Sequence, residues 1–326
     1  MSLVLLYPLA AGSYSLYVMS LALVFGMLAL SVDLLWGYAG ILNLGPAVAF
    51  GLGGYAYAIL MKGMGGGLLV TLLALLVAIV VPLAITLLIS YAGFKSKTTL
   101  MYYALINLAL ALTLEQVAVV MIRYTGGSSG LINFPYPKIG IGPFSVVIFS
   151  SIQIYYFVAV TALAAYFLCI RFVNSPMGWV IRGIRMNEAK VESLGYNPLV
   201  YKMIISGFSA IIGGLAGAFF AVVSGIVHPQ LFSVLICMQI FVWVAVGGQG
   251  SLTGPFLAAI AIKLIESYLS GVFVSSYLLI LGLLFVTVVL VFPAGIAGFV
   301  PHLQDSLRRR FPGTTQRQCD TAGGGE

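Results

Sequence analysis

Few residues of this 326-residue chain are equipped for chemistry, and most of those interrupt apolar runs. Asp33, Glu115, Lys263 and Glu266 are of this kind. A charge inside a bilayer is costly, so such residues mark a pathway or a packing pair. Lys263 and Glu266 stand at i, i+3, close enough on a helix to satisfy each other. Asp33 lies near the end of its run, which suggests an interfacial place. Glu115 has no local cation, and Gln116 beside it cannot neutralise it, so it is the leading intramembrane candidate. Gln239 and Asn107 are polar within apolar runs, where hydrogen bonds across helices would account for them. Gly127-x-Ser129-Gly130 and His228 offer a nucleophile and a base. Their context is wrong for that use: Ser129 falls in a loop soon followed by Pro135 and Pro137, and His228 precedes Pro229. Two histidines, His228 and His302, and three scattered cysteines, Cys169, Cys237 and Cys319, argue against a metal cluster or a disulfide framework. The phosphate-cradling pattern Gly-x-x-x-x-Gly-Lys-Ser/Thr does not occur, so ATP binding by this chain is not expected.

The elements that must position these residues are membrane spans. The chain is 61% hydrophobic and 7% charged, where soluble domains are about 25% charged. That excludes an ordinary soluble enzyme, a disordered protein and a nucleic-acid-binding domain, even at a net charge of +7. The fold class expected is all-α: a polytopic helical bundle of about eight to ten spans. Nine are read, at 15–35, 38–61, 67–93, 98–122, 151–173, 200–227, 231–248, 253–270 and 275–293. They make a transmembrane domain over 1–300, with a tail at 301–326. No charged segment precedes the first run, so insertion by the first span itself is expected rather than a cleaved signal. With the 174–199 connection in the cytoplasm, eleven of the 15 basic residues fall inside and Lys62, Arg123 and Lys138 outside, the bias of the positive-inside rule. This places the 123–150 loop outside and the C-terminus inside.

Glycine spacing adds a second layer. Gly37-x-x-Gly40-x-Leu42-x-x-Gly45-Pro46 is echoed by Gly247-x-x-Gly250-x-Leu252-x-Gly254-Pro255, as an internal duplication would leave. The segment Gly37–Gly54, with Asn43, Gly45 and Pro46, reads as an interrupted helix lining a pathway, where freed backbone groups must be buried or wet. Gly213, Gly214 and Gly217 read as close helix packing. In 174–199, Ser175-Pro176 opens a short helix with Val180, Ile181 and Ile184 on an apolar side. Asn187-Glu188-Ala189 starts a second turn with Val191 and Leu194 on one side; Gly195 ends it and Asn197-Pro198 prevents continuation. A stand-alone secondary transporter or channel would explain spans, glycines and echo, but would not need this amphipathic element.

The same stretch resembles the cytoplasmic coupling loop of ABC-importer permeases, through Glu188-Ala189 and Gly195. More narrowly, Ser175-Pro176-x-Gly178, Arg182-x-x-Arg185-x-Asn187-Glu188 and Leu194-Gly195 resemble the branched-chain amino acid permease family, LivM type. Three distant stretches agree in order: Trp36-Gly-Tyr-Ala-Gly40 through Gly45 with Gly51-x-Gly-Gly-Tyr55, Thr125-Gly-Gly-Ser-Ser-Gly130-Leu, and Gly247-Gly-Gln-Gly-Ser-Leu-x-Gly-Pro255. Pro46 departs from the family, many members of which carry His there. The resemblance implies a permease subunit of a binding-protein-dependent importer in the cytoplasmic (inner) membrane. It implies branched-chain amino acids as cargo, with urea, short amides or other small polar solutes as the nearest alternatives. It further implies two ABC ATP-binding subunits, a second homologous permease (LivH type) and an extracytoplasmic solute-binding protein. No cofactor or metal is expected on this chain, ATP being bound by the partner subunits, and no residue is assigned to catalysis. Arg182, Arg185, Asn187, Glu188, Ala189, Leu194 and Gly195 then couple to the ATPase, and Asn43, Gly45, Pro46, Glu115 and Gln239 line the pathway.

Overall fold

Where most residues are apolar, the placement of small and polar residues decides which helix face turns inward. The computed structural model describes residues 12–96, 100–139, 146–147, 150–272 and 282. Helix α1 (Ser13–Asp33) continues through a π-helical turn, Leu34–Tyr38. It is apolar all round and buried along almost its whole length. The others surround it: α2 (Pro46–Met64), α3 (Leu68–Lys95), α4 (Leu100–Val120), α5 (Ser151–Val173), α6 (Pro176–Met186), α7 (Glu188–Ser193), α8 (Pro198–Ser224), α9 (Val234–Gly247) and α10 (Thr253–Val272). Helices α5, α8, α9 and α10 pack directly on α1.

The pattern on α3 shows the rule. Its buried residues are Thr71, Ala74, Ala78, Pro82, Thr86, Ser90 and Gly93, one stripe at helical spacing, while bulky side chains such as Leu69, Leu76 and Leu88 are exposed. Lipid is as apolar as leucine, so helices gain most by presenting small residues to each other. The tightest seam joins α2 to α8. A Cβ at Gly53 would overlap the backbone of Gly214, and one at Gly217 would overlap that of Phe50. The packing reading of Gly214 and Gly217 is therefore what the structure contains. Gly213 meets the Ala49 side chain in the same seam.

Strand content is slight. Strand β1 (Leu131–Ile132) pairs antiparallel with β4 (Ile226–Val227), and β2 (Lys138–Ile139) with β3 (Val146–Val147). The first pair ties the loop after α4 to the segment leaving α8. Helix α5 separates that loop from the 174–199 element, so the two lie at opposite ends of it.

The structure departs from the span reading in one place, 231–248. Six of the described helices are long and apolar enough to cross a membrane: Ser13–Tyr38, Pro46–Met64, Leu68–Lys95, Leu100–Val120, Ser151–Val173 and Pro198–Ser224. The expected span 231–248 divides into a 3-10 turn, Pro229–Phe232, and α9. The Ser233 hydroxyl accepts from the Ile236 N–H and fixes the start of α9 there. Its 14 residues reach about 21 Å, short of a hydrocarbon core of about 30 Å. The expected span 253–270 is α10, 20 residues long but with Lys263 and Glu266 within it, and it is not among the six. The expected span 275–293 and the tail 301–326 lie outside the described residues.

Candidate coupling and translocation site

The 174–199 element is built as its sequence dictates. Ser175 caps α6, its Oγ accepting from the Gly178 N–H at 3.4 Å, and Pro176 sits at the first helical position. Gly178, Ile181 and Ile184 are buried beneath α6. Asn187 ends α6 and caps α7, its Oδ1 accepting from the Lys190 N–H at 3.0 Å. Val191 is buried, whereas Leu194, expected on the same apolar side, is 70% exposed. Six residues make too short a helix to hold both against the bundle. Gly195 adopts φ 89°, a conformation favouring glycine, and its N–H bonds the Glu192 carbonyl at 2.9 Å. Asn197 then caps α8 through the Leu199 N–H at 3.1 Å.

The charged residues of this element divide into two sets. Arg182 and Arg185 reach toward the bundle. The Arg182 guanidinium lies between the rings of Tyr38 (5.1 Å) and Trp179 (4.8 Å) and donates to the Val173 carbonyl. Arg185 donates to the Gly37 carbonyl. Glu188 accepts both of its bonds from Lys202 of α8, at 2.6 and 2.7 Å. The outward residues are Met186, 87% exposed, Leu194 and Trp179, 63% exposed, together with Ala189, Lys190 and Glu192.

The two echoed glycine segments meet beside α6. Asp33 is fully buried, and its carboxylate accepts from the N–H groups of Gly250 (2.7 Å) and Leu252 (3.0 Å). Asp33 does stand at the end of α1, but enclosed by protein: it is an internal anchor. Gly37 lies against that carboxylate and the Gly250 backbone with no room for a Cβ. Leu252 itself has φ 50°, held there with its N–H in the carboxylate's grip. Sequence reasoning missed this because the two partners are 217 residues apart; the matching Gly-x-x-Gly-x-Leu patterns were the available signal.

Of the pathway residues, the structure gathers Asn43, Gly45 and Pro46. The helix is interrupted between Tyr38 and Pro46, as expected. Asn43 Oδ1 accepts from the Gly45 N–H at 2.9 Å, and Gly45 touches the Asn107 backbone. With Ser31, Thr86, Asn107 and Ser209 they line a cavity of about 20 Å³, room for about one water. Glu115 and Gln239 do not line it. Gln239 is half-buried on α9. Glu115 is half-buried on α4 with no salt-bridge partner among the described residues. Glu115→Gln is expected to lower uptake several-fold while leaving the amount of inserted protein unchanged. Unaltered uptake kinetics would make Glu115 a packing residue.

Lys263 and Glu266 form the expected pair at 3.1 Å, with Lys263 also 4.9 Å from the Phe25 ring centre. The β1–β4 pairing brings Gly130 against His228, but Ser129 is exposed and no hydrogen bond joins Ser129 to His228. Burial lowers the His228 pKa, and its Nδ1 has no partner among the described residues.

Comparison with known proteins bears on this geometry. Residues 14–292 match the family described as branched-chain amino acid transport system / permease component. The high-affinity branched-chain amino acid transport system permease protein LivM of Escherichia coli (strain K12) is 24% identical, with 89% of this chain and 71% of that protein covered. The probable branched-chain amino acid transport permease protein LivM of Methanocaldococcus jannaschii is 22% identical, with 74% and 76% covered. No solved structure gives a significant match.

Proposed function

The chain belongs to the branched-chain amino acid permease family, a multi-pass transport component rather than an enzyme, and from that premise we propose that it is the membrane-spanning subunit of an ABC importer. Separate ATP-binding subunits hydrolyse ATP and engage the α6–α7 element from the cytoplasm. An extracytoplasmic binding protein delivers solute at the opposite end, including the 123–150 loop, and a second homologous permease completes the bundle. The assembly lies in the cytoplasmic membrane with the C-terminus inside. Branched-chain amino acids are the proposed cargo, and transport proceeds by alternating access around the interrupted segment at Asn43–Pro46.

The observation that carries this reading is the α6–α7 element itself. Its inner side is spent on the bundle, through Ile181, Ile184 and Val191. Its outer side still offers Trp179, Met186 and Leu194, large apolar groups next to charged ones. A surface of that composition suits burial by a soluble partner.

The test is affinity purification of the tagged chain from native membranes in mild detergent, with mass spectrometry of co-purifying proteins. ATP-binding subunits and a second permease are expected, and their binding protein can then be screened against leucine, isoleucine, valine, urea and short amides. A chain that runs alone or only with itself after crosslinking overturns the importer reading and returns the protein to stand-alone transport.

A further inference from the structure

We infer that Asp33 and Arg185 form the linkage through which the α6–α7 element moves both glycine segments as one body. The inference rests on the importer reading but goes beyond it, because it assigns the route of the mechanical signal inside this chain.

The route runs through a short series of contacts. Arg185, at the end of α6, donates to the Gly37 carbonyl; its Cγ lies 2.9 Å from where a Gly40 Cβ would stand, and its Nη1 lies 3.7 Å from the corresponding point on Gly250. One side chain thus holds the first echoed segment at the carbonyl against which Gly250 of the second is placed. Gly37 in turn lies against the Asp33 carboxylate. Asp33 completes the connection from the opposite side by holding the Gly250 and Leu252 N–H groups. Charge-assisted bonds to a buried carboxylate are strong, and breaking them would strand an unpaired charge. The 248–252 loop therefore cannot leave the end of α1 cheaply. Arg182 adds a second attachment one turn earlier in α6, stacked on Tyr38 of the same π turn that holds Gly37.

The helices downstream of the two segments give the linkage a purpose. Beyond Gly37–Gly40 the chain runs through Asn43 to Pro46, where the polar cavity and α2 begin. Beyond Gly250–Leu252 begins α10, packed on α1. A push on α6 reaches the starts of two helices at once, one of them at the cavity. Arg185 is then a positioning residue of transport: although its side chain is exposed, its guanidinium is spent on Gly37.

The test uses the complete transporter in proteoliposomes with its binding protein, measuring solute moved per ATP hydrolysed. Arg185→Gln is expected to lower that ratio by about tenfold, with Arg185→Lys recovering part of it by reaching the same carbonyl. Asp33→Asn is expected to lower it as well. An unchanged ratio in Arg185→Gln overturns the linkage. So does loss of the ATP-binding subunits on purification of that variant, which would make Arg185 a docking residue. Absence of ATP-binding subunits from the wild-type assembly would instead overturn the importer reading. Should Asp33→Asn fail to fold, spin labels at Met186→Cys and Gln249→Cys, both exposed sites, give a second measure. Their separation is expected to stay constant between nucleotide-free and ATP-trapped states in an otherwise wild-type chain, and to change between states when Arg185→Gln is added. A separation that changes in the otherwise wild-type chain overturns the linkage.

Discussion

Gly217→Leu is expected to abolish accumulation of folded protein in the membrane. At this position a Cβ would overlap the Phe50 carbonyl oxygen and stand 2.8 Å from the Gly54 nitrogen, so it would clash with backbone. The contact cannot be relieved locally, because the neighbours are equally tight. A Cβ at Gly54 would stand 3.1 Å from the Gly217 carbonyl oxygen, and one at Gly214 would stand 3.0 Å from Pro82 and overlap the Ala78 carbonyl. Helices α2 and α8 must separate. Overpacking a well-filled core costs about 1–3 kcal/mol, and here the whole seam opens against a total stability of about 5–15 kcal/mol. Fluorescence-detected size exclusion of the detergent extract should show the monodisperse peak lost to aggregate. Gly63→Leu is the control, since nothing lies within 4 Å of a Cβ there. A normal Gly217→Leu peak would mean the seam is not formed.

Glu188→Arg is expected to abolish uptake while leaving the chain inserted. The carboxylate is the only counter-charge that Lys202 has among the described residues, and it bolts α7 to α8. Reversal sets two cations face to face and puts a positive charge at a helix N-terminus, where the backbone dipole disfavours it. A pair this close to solvent contributes about 1 kcal/mol or less to stability, so global folding survives. The six-residue α7, held otherwise by Val191 and the Asn187 cap, does not keep its place. Because both carboxylate oxygens are engaged by Lys202, the exchange Glu188→Lys with Lys202→Glu should recover most of the uptake. Failure of the exchange, with α7 shown to be seated by its protection from proteolysis, would mean that the ATP-binding subunit reads the Glu188 carboxylate directly.

Much of this arrangement was legible in local chemistry. Ser175-Pro176, Asn187, Gly195 and Asn197-Pro198 act within a few residues of themselves, and each does what its type predicts. The break before Pro46 and the glycine packing of α8 are equally local. What escaped the reading depends on partners far away in sequence. Arg182 and Arg185 sit on an amphipathic helix, and periodicity gives it two faces without saying which faces the bundle. Asp33 looked interfacial because it lies near the end of its run, and the donors that hold it are 217 and 219 residues away. Hydropathy also cannot tell lipid from protein: α1 and α3 are both apolar all round, yet α1 is buried and α3 is largely bare. The segment 231–248 was read as one span for a related reason, since a window average sees neither the Ser233 cap nor the turn at Pro229.

The distance in sequence between Asp33 and its donors also orders the making of the protein. The two bonds close over 217 and 219 residues. At about 5–20 residues per second, a ribosome places the first span in the translocation machinery roughly 10–40 s before Gly250 is polymerised. Through that interval the carboxylate has no intramolecular donor from the 248–252 loop. Water or a biogenesis factor at the bilayer surface must solvate it until the loop arrives. Closure around Asp33 is thus a late step of assembly. A nascent chain halted short of Gly250 carries an acid without its two backbone donors at the end of its first helix, a chemical mark that separates an unfinished protein from a finished one.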